Sequence, residues 1–184
     1  MSNASKTAFG GIMVALGVVI MLPTALEIFV YALPLFAGLI IVLCVVELGK
    51  KWAFSVYAAT SVIGFIVVPN KEAVLMYIAF FGYYPILKAI LESKVPKYLE
   101  IILKFLVFNV SVCLATALMI KFLGVPFEQF MGFEQSSALS KFALPIMLIL
   151  GNVTFVVYDF FVSNFVSVYT LKWRKRIKSI FRFK

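Results

Sequence analysis

The sequence contains no histidine and only two cysteines among its 184 residues. Histidine is the commonest general base and metal ligand, so its absence argues against much hydrolytic and metal-dependent chemistry. Cys44 and Cys113 both lie inside apolar runs, the usual setting of small buried hydrophobic side chains. The sequence also has no CxxC pair, no H-E-x-x-H motif and no glycine-rich phosphate loop. We therefore expect no enzyme activity, no cofactor and no metal site.

Charged residues are scarce as well, at 14% of the chain, whereas 64% of the residues are hydrophobic. A soluble domain is about half apolar and about a quarter charged. A chain of 184 residues cannot hide this excess in one soluble core, because small domains leave much of their surface exposed. The composition therefore predicts an integral membrane protein.

Apolar runs of near-spanning length follow one another along the chain. A membrane-crossing helix needs about 20 mostly apolar residues. We predict an all-α integral membrane protein with about six transmembrane helices in one compact bundle, and we interpret 28–48 as one span bent at Pro34. The predicted spans are approximately 7–24, 28–48, 52–68, 73–91, 101–123 and 142–171, and a basic tail covers 172–184. The first run has no small-residue cleavage site, so we interpret it as a retained span.

The basic residues predict the orientation of these spans. With a cytoplasmic N-terminus, the outer side would carry only Lys71, Lys121 and Lys141. The inner side would carry Lys6, Lys50, Lys51, Lys94, Lys97, Lys104 and the basic tail. This asymmetry follows the positive-inside rule, so we predict that both termini are cytoplasmic. The net charge of +9 then reflects orientation and contact with lipid headgroups, not nucleic-acid binding.

A stripe of small residues opens the first span. Thr7, Gly11 and Ala15 recur at four-residue spacing, which lets another helix approach closely in lipid. Two interpretations are open, a contact with a helix of the same chain and a docking face for a partner membrane protein.

Several polar groups lie at membrane depth, where they are costly and therefore functional candidates. A rise of about 1.5 Å per residue places Asn109 and Asn152 near the middle of the bilayer, at a level similar to that of Tyr83 and Tyr84. These four residues are the predicted floor of a substrate pocket. Glu27 and Glu72 would form its outer rim, beneath the loop that carries Phe127, Phe130 and Phe133. That loop suits either an interfacial helix or a lid.

Lys88 lies in the fourth predicted span and Asp159 in the sixth, both near the cytoplasmic side. Their similar depth predicts an ion pair, and we expect it to be structural. Pro85, three residues before Lys88, predicts a kink beside the pocket because it frees the carbonyl of Phe81.

With these features the chain resembles the S components of energy-coupling factor (ECF) transporters. The similarity covers almost the whole length and includes "GIMVA", in which Gly11 and Ala15 occupy the positions of the family's Ala-x-x-x-Ala motif. The segments "ELGKKWAFSVY", "PNKEAVLMYIAFFGYYPILKAILE" and "GNVTFVVYDF" resemble bacterial S-component-like proteins. The resemblance implies a subunit of the bacterial plasma membrane that binds a substrate at its outward face. It also implies docking through Gly11 and Ala15 on a T component with two cytoplasmic ATPases.

The aromatic and amide groups of the predicted pocket favour a small planar organic ligand, such as a water-soluble vitamin or its precursor, over a metal ion. Two alternatives stay open. One is a structural or assembly membrane protein whose basic tail binds anionic lipid or a cytoplasmic partner. The other is an autonomous small transporter, acting without any ATPase.

Overall fold

The structure, a computed structural model, describes residues 2–27, 29–124 and 140–174. Every regular element in these ranges is helical, which confirms the all-α prediction there. The helices are α1 (Asn3–Met21), α2 (Ala32–Leu48), α3 (Lys50–Val67), α4 (Lys71–Met76), α5 (Tyr84–Lys94), α6 (Lys97–Leu123) and α7 (Ser140–Val168). A 3-10 turn (Leu22–Leu26) extends α1, and π-helical turns follow α4 (Tyr77–Phe81) and α7 (Tyr169–Trp173).

Four helical segments are long and apolar enough to cross a membrane, namely Asn3–Leu26, Lys71–Lys94, Lys97–Lys121 and Leu148–Trp173. Helix α2 is apolar but has only 17 residues, and the 18 residues of α3 begin with two lysines. The structure therefore shows an apolar helical protein with four segments of spanning length. Six crossings and cytoplasmic termini stay predictions.

Two prolines lie at helix starts, where a missing N–H group costs little. Pro34 occupies the first turn of α2, which begins at Ala32, so α2 is not bent at this residue as the sequence had suggested. Pro85 likewise lies in the first turn of α5. At the predicted kink the regular α-helix is interrupted by the π-helical turn and Gly82, and we call this interruption the break, although Lys71–Lys94 remains one helical segment.

Polar contacts define two ends of the molecule. At the Gly49 end, where α2 meets α3, Lys50 donates a hydrogen bond of 2.7 Å to Ser93. At the Asn70 end, where α3 meets α4, the Asn70 side chain caps α4 by accepting from the Ala73 amide at 3.0 Å. These two ends correspond to the predicted inner and outer sides.

The apolar core has one cluster along α1, α2 and α3 and a second cluster that joins α2 to α5 and α7. Glycines allow the close approach in the first cluster. A Cβ atom added to Gly17 of α1 would lie 3.0 Å from Thr60 of α3. In contrast, only 17% of the most apolar stretches of α6 and α7 is buried within the chain. Their exposed apolar faces suit contact with lipid.

Candidate functional site

The break between α4 and α5 positions the candidate site. The Gly82 amide bonds to the Tyr77 carbonyl at 2.8 Å, which is the i to i−5 spacing of a π-helical turn. Such turns are frequent at functional sites. The Tyr57 hydroxyl donates to the carbonyl of Ile78 at 2.8 Å, so a side chain of α3 braces the turn. A Cβ atom added to Gly38 would lie 2.5 Å from the Phe81 carbonyl oxygen, so only glycine lets α2 come this close.

Tyr83 and Tyr84 follow this break but contact different neighbours. The hydroxyl of Tyr83 shares a hydrogen bond with Ser111 of α6, beside a cavity of about 360 Å³ lined mainly by aliphatic side chains. The fully buried Tyr84 donates at 2.5 Å to the carboxylate of Asp159 on α7. The structure therefore places the two phenols that the sequence assigned to one pocket in separate polar contacts.

Asn109 of α6 and Asn152 of α7 form a reciprocal pair of side-chain amides. The Asn109 amide nitrogen donates to Asn152 at 3.0 Å, and the Asn152 nitrogen donates back to Asn109 at 3.2 Å. Each nitrogen also donates to a carbonyl of its own helix, that of Phe105 or Leu148. Asn152 lines a groove of about 370 Å³ whose other walls are apolar. The two asparagines thus join α6 to α7 beside an apolar groove.

Lys88 of α5 and Asp159 of α7 are brought together in an ion pair. The Lys88 side chain is only 4% exposed, and its ammonium also bonds to the Glu92 carboxylate at 2.9 Å. Lys104 of α6, 6% exposed, contacts the same Glu92 at 3.0 Å and Glu100 at 2.6 Å, and lies 3.4 Å from Asp159. These five residues form what we call the ion network.

The sequence interpretation did not include Glu92, Glu100 and Lys104 in this network. Their signal is nevertheless present, because Lys88 and Glu92, and Glu100 and Lys104, are each four residues apart and lie on one face of their helix. A second ion pair at the same end joins Glu47 of α2 to Arg174, at 2.9 Å. Ion pairs near the Gly49 end therefore involve charged side chains of four helices, α2, α5, α6 and α7.

The predicted rim residues lie at the Asn70 end. Tyr31 donates a hydrogen bond to the Glu72 carboxylate at 2.5 Å. Glu27 is exposed and has a left-handed backbone with φ of 57°. The loop with Phe127, Phe130 and Phe133, and the tail from 175 onward, lie outside the described residues.

Gly11 and Ala15 are both exposed, on the face of α1 that points away from the other helices of the chain. A Cβ atom added to Gly11 would meet nothing within 4 Å. The neighbouring Gly10 and Gly17 instead face Val56 and Thr60 of α3. Within the described residues, helix α1 therefore packs in the chain through other glycines and leaves this pair uncovered.

Together these features describe a helical protein with four apolar segments of membrane-spanning length and a buried ion network near one end. Comparison of the chain with protein-family models, with curated proteins and with solved structures finds no match. Across the ranges 2–27, 29–124 and 140–174, no three Cys, Asp or Glu side chains are grouped so that they could hold a metal ion.

Proposed function

We propose that the chain is the substrate-binding membrane subunit, or S component, of an ECF-type importer. In this role it binds a water-soluble vitamin or precursor at the Asn70 end, which faces outward in the bacterial plasma membrane. It then docks on a T component and two cytoplasmic ATPases and releases the substrate inside. The chain itself hydrolyses nothing.

The uncovered face of α1 is the observation that carries this proposal. Gly11 and Ala15 occupy the docking positions that the family resemblance assigns, and both are exposed although α1 packs tightly on its other side. Small residues let two helices approach closely in lipid, where van der Waals packing drives association. Of the two interpretations of the stripe, this arrangement favours a partner helix over a helix of the same chain.

The amide pair is the best supported place for the substrate. Each asparagine presents an N–H donor beside a C=O acceptor to the other. A planar heterocycle with a ring amide presents the same pattern, so it could replace one partner while its apolar face lies in the adjoining groove. Tyr83, Glu27 and Glu72 would contribute from the break and from the Asn70 end, whereas Tyr84 is already bonded to Asp159.

The docking part is tested by gentle purification of the tagged chain from its native membrane. We expect a T component and two ATPases, identified by mass spectrometry, to co-purify with the natural chain. Gly11→Leu and Ala15→Leu should abolish this association, because a bulky side chain blocks close helix approach. The control is Leu16→Ala, an exposed position that neighbours Ala15. Retention of all three partners by both leucine variants would refute the proposed face.

The substrate part is tested by mass spectrometry of small molecules retained by the purified chain. We expect a retained heterocycle that Asn152→Leu loses and that a substitution of the exposed Asn164 on the same helix keeps. Absence of any ligand, together with no binding from a vitamin panel, would count against this function. Uptake by proteoliposomes without an ATPase would instead support an autonomous transporter.

A further inference from the structure

One oxygen atom of Glu92 contacts the ammonium groups of two buried lysines at once. Its Oε1 atom lies 2.9 Å from the ammonium of Lys88 and 3.0 Å from that of Lys104. The two lysine side chains are 4% and 6% exposed, whereas the Glu92 side chain is 43% exposed. The carboxylate thus lies between two fixed cations on a side chain that reaches them from the surface.

A cavity of about 340 Å³ adjoins this carboxylate, between α2, α5 and α7. Lys88, Glu92 and Ser93 provide its polar part. The remaining walls are small and aliphatic and come from Val42, Val45, Val46, Pro85, Ala89, Val162 and Val166. The cavity has the size of a small ligand pocket, with a polar end and an apolar body.

We infer that this cavity binds an aliphatic monocarboxylate whose carboxylate takes the place of the Glu92 side chain between Lys88 and Lys104. The hydrocarbon part of the ligand occupies the valine-lined body of the cavity. The inference is independent of the proposed import function, because the cavity lies towards the Gly49 end, away from Glu27 and Glu72.

The charges around the site make this exchange inexpensive. Glu92 would move only from the network to nearby water, because its side chain is already about half exposed. Lys88 would keep its bond to Asp159, and Lys104 its bond to Glu100 at 2.6 Å. The incoming carboxylate replaces one negative charge by another, so neither buried ammonium is left with fewer counter-charges, the situation that costs most in an apolar interior.

The walls select the class of ligand. The lining side chains include no aromatic ring, so stacking with a planar heterocycle is absent there. Two ammonium groups converge on the Glu92 oxygen, that of Lys88 from the cavity wall and that of Lys104 from outside the lining residues. They favour an anionic acceptor over an amide or an alcohol, because charge-assisted hydrogen bonds are stronger. A medium-chain saturated carboxylate combines both properties, and octanoate is the probe that we choose.

Chemical rescue of Glu92→Ala tests the inference. The full chain is placed in phosphatidylcholine nanodiscs and its Tm is followed by tryptophan fluorescence with increasing octanoate. Glu92→Ala should lower the Tm, because both lysines lose a counter-charge, and octanoate should restore at least half of the loss with saturation. The natural chain should respond less, because Glu92 competes for the same place.

The matched control is Glu100→Ala, which also removes a carboxylate bonded to Lys104 but does not line the cavity. Octanoate should leave the Tm of this variant low, and octanol should rescue neither variant. Equal rescue of both variants, or equal rescue by octanol, would overturn the inference because it would indicate a general effect on the bilayer.

A second variant keeps the test decisive where Glu92→Ala does not fold. Glu92→Gln retains the shape of the side chain but weakens the competitor, so it should bind octanoate about tenfold tighter than the natural chain. Binding is measured from the carboxyl resonance of octanoate labelled with ¹³C at its carboxyl carbon. Affinity equal to that of the natural chain would refute the exchange, and Lys104→Met should abolish binding.

Discussion

Helices α1–α3 and helices α5–α7 are held together by different interactions. In the first group glycines bring helices into contact, as where Gly10 faces Val56 and Gly17 faces Thr60. In the second group the contacts between helices are rich in aromatic rings, amides and charges, including the ion network. Both solutions suit a membrane, where burial of apolar surface does little to drive helix association. We therefore expect different substitutions to lower the stability of the two groups, added side-chain volume at glycines in the first and loss of charge in the second.

The largest effect is expected from Asp159→Asn. The amide keeps the shape of the side chain but removes the charge that faces Lys88 and Lys104, so two buried ammonium groups share fewer carboxylates. Breaking a buried ion pair from one side costs about 3 to 5 kcal/mol. The measurement is the free energy of unfolding in mixed detergent micelles titrated with SDS, followed by circular dichroism.

The control for Asp159→Asn is Glu72→Gln, which removes a carboxylate bonded to the exposed Tyr31 at the opposite end. Its effect should be small, because surface polar contacts contribute little. A loss in Asp159→Asn no larger than that in Glu72→Gln would show that charge does not hold α5–α7 together.

A smaller effect is expected from Gly38→Ala, where α2 meets the break before α5. The added Cβ atom would lie 2.5 Å from the Phe81 carbonyl oxygen, which is backbone and cannot rotate away. Overpacking of this kind costs about 1 to 3 kcal/mol. The same unfolding measurement applies, with Gly11→Ala as the control, because that Cβ atom meets nothing within 4 Å. Equal stability of the two variants would mean that α2 does not depend on close approach here.

The helical class follows from the sequence, because apolar runs are separated by charged or turn residues, and four of the helical segments are long enough to span a membrane. The effect of the prolines was harder to predict. Pro34 divides an apolar run and predicts a bend, but the helix begins only at Ala32, so this proline lies in the first turn and costs little stability. The sequence gives the position of a proline but not the residue at which the helix begins, because the helix start depends on the contacts of the preceding residues.

The candidate site was harder to predict than the fold. Depth along the helices suggested that Lys88 and Asp159 lie at one level, and they lie in contact in the structure. Depth does not specify the direction in which a side chain points. Tyr83 and Tyr84 lie at one level but are consecutive on the chain, so they point about 100° apart on a helix and contact different partners. The position of Lys104 likewise depends on how α6 is rotated against α5.

The smallest effect is expected from the amide pair, which tests whether the polar contacts of α5–α7 contribute equally. We predict that Asn109→Leu and Asn152→Leu, combined in a double-mutant cycle, show a coupling free energy of about 0.6 kcal/mol, and no more than about 1.7 kcal/mol. The reason is that each asparagine nitrogen also donates to a carbonyl of its own helix, and no charge is left without a partner when the other side chain is removed.

The control for the amide pair is Asn164→Leu, at an exposed position of α7, which should show no coupling when it is combined with Asn109→Leu. A coupling between Asn109 and Asn152 as large as the effect of Asp159→Asn would contradict the view that charge dominates in α5–α7. The amide pair would then be the main stabilising contact between α6 and α7, and a substrate could displace one of the two amides only at a large cost in stability.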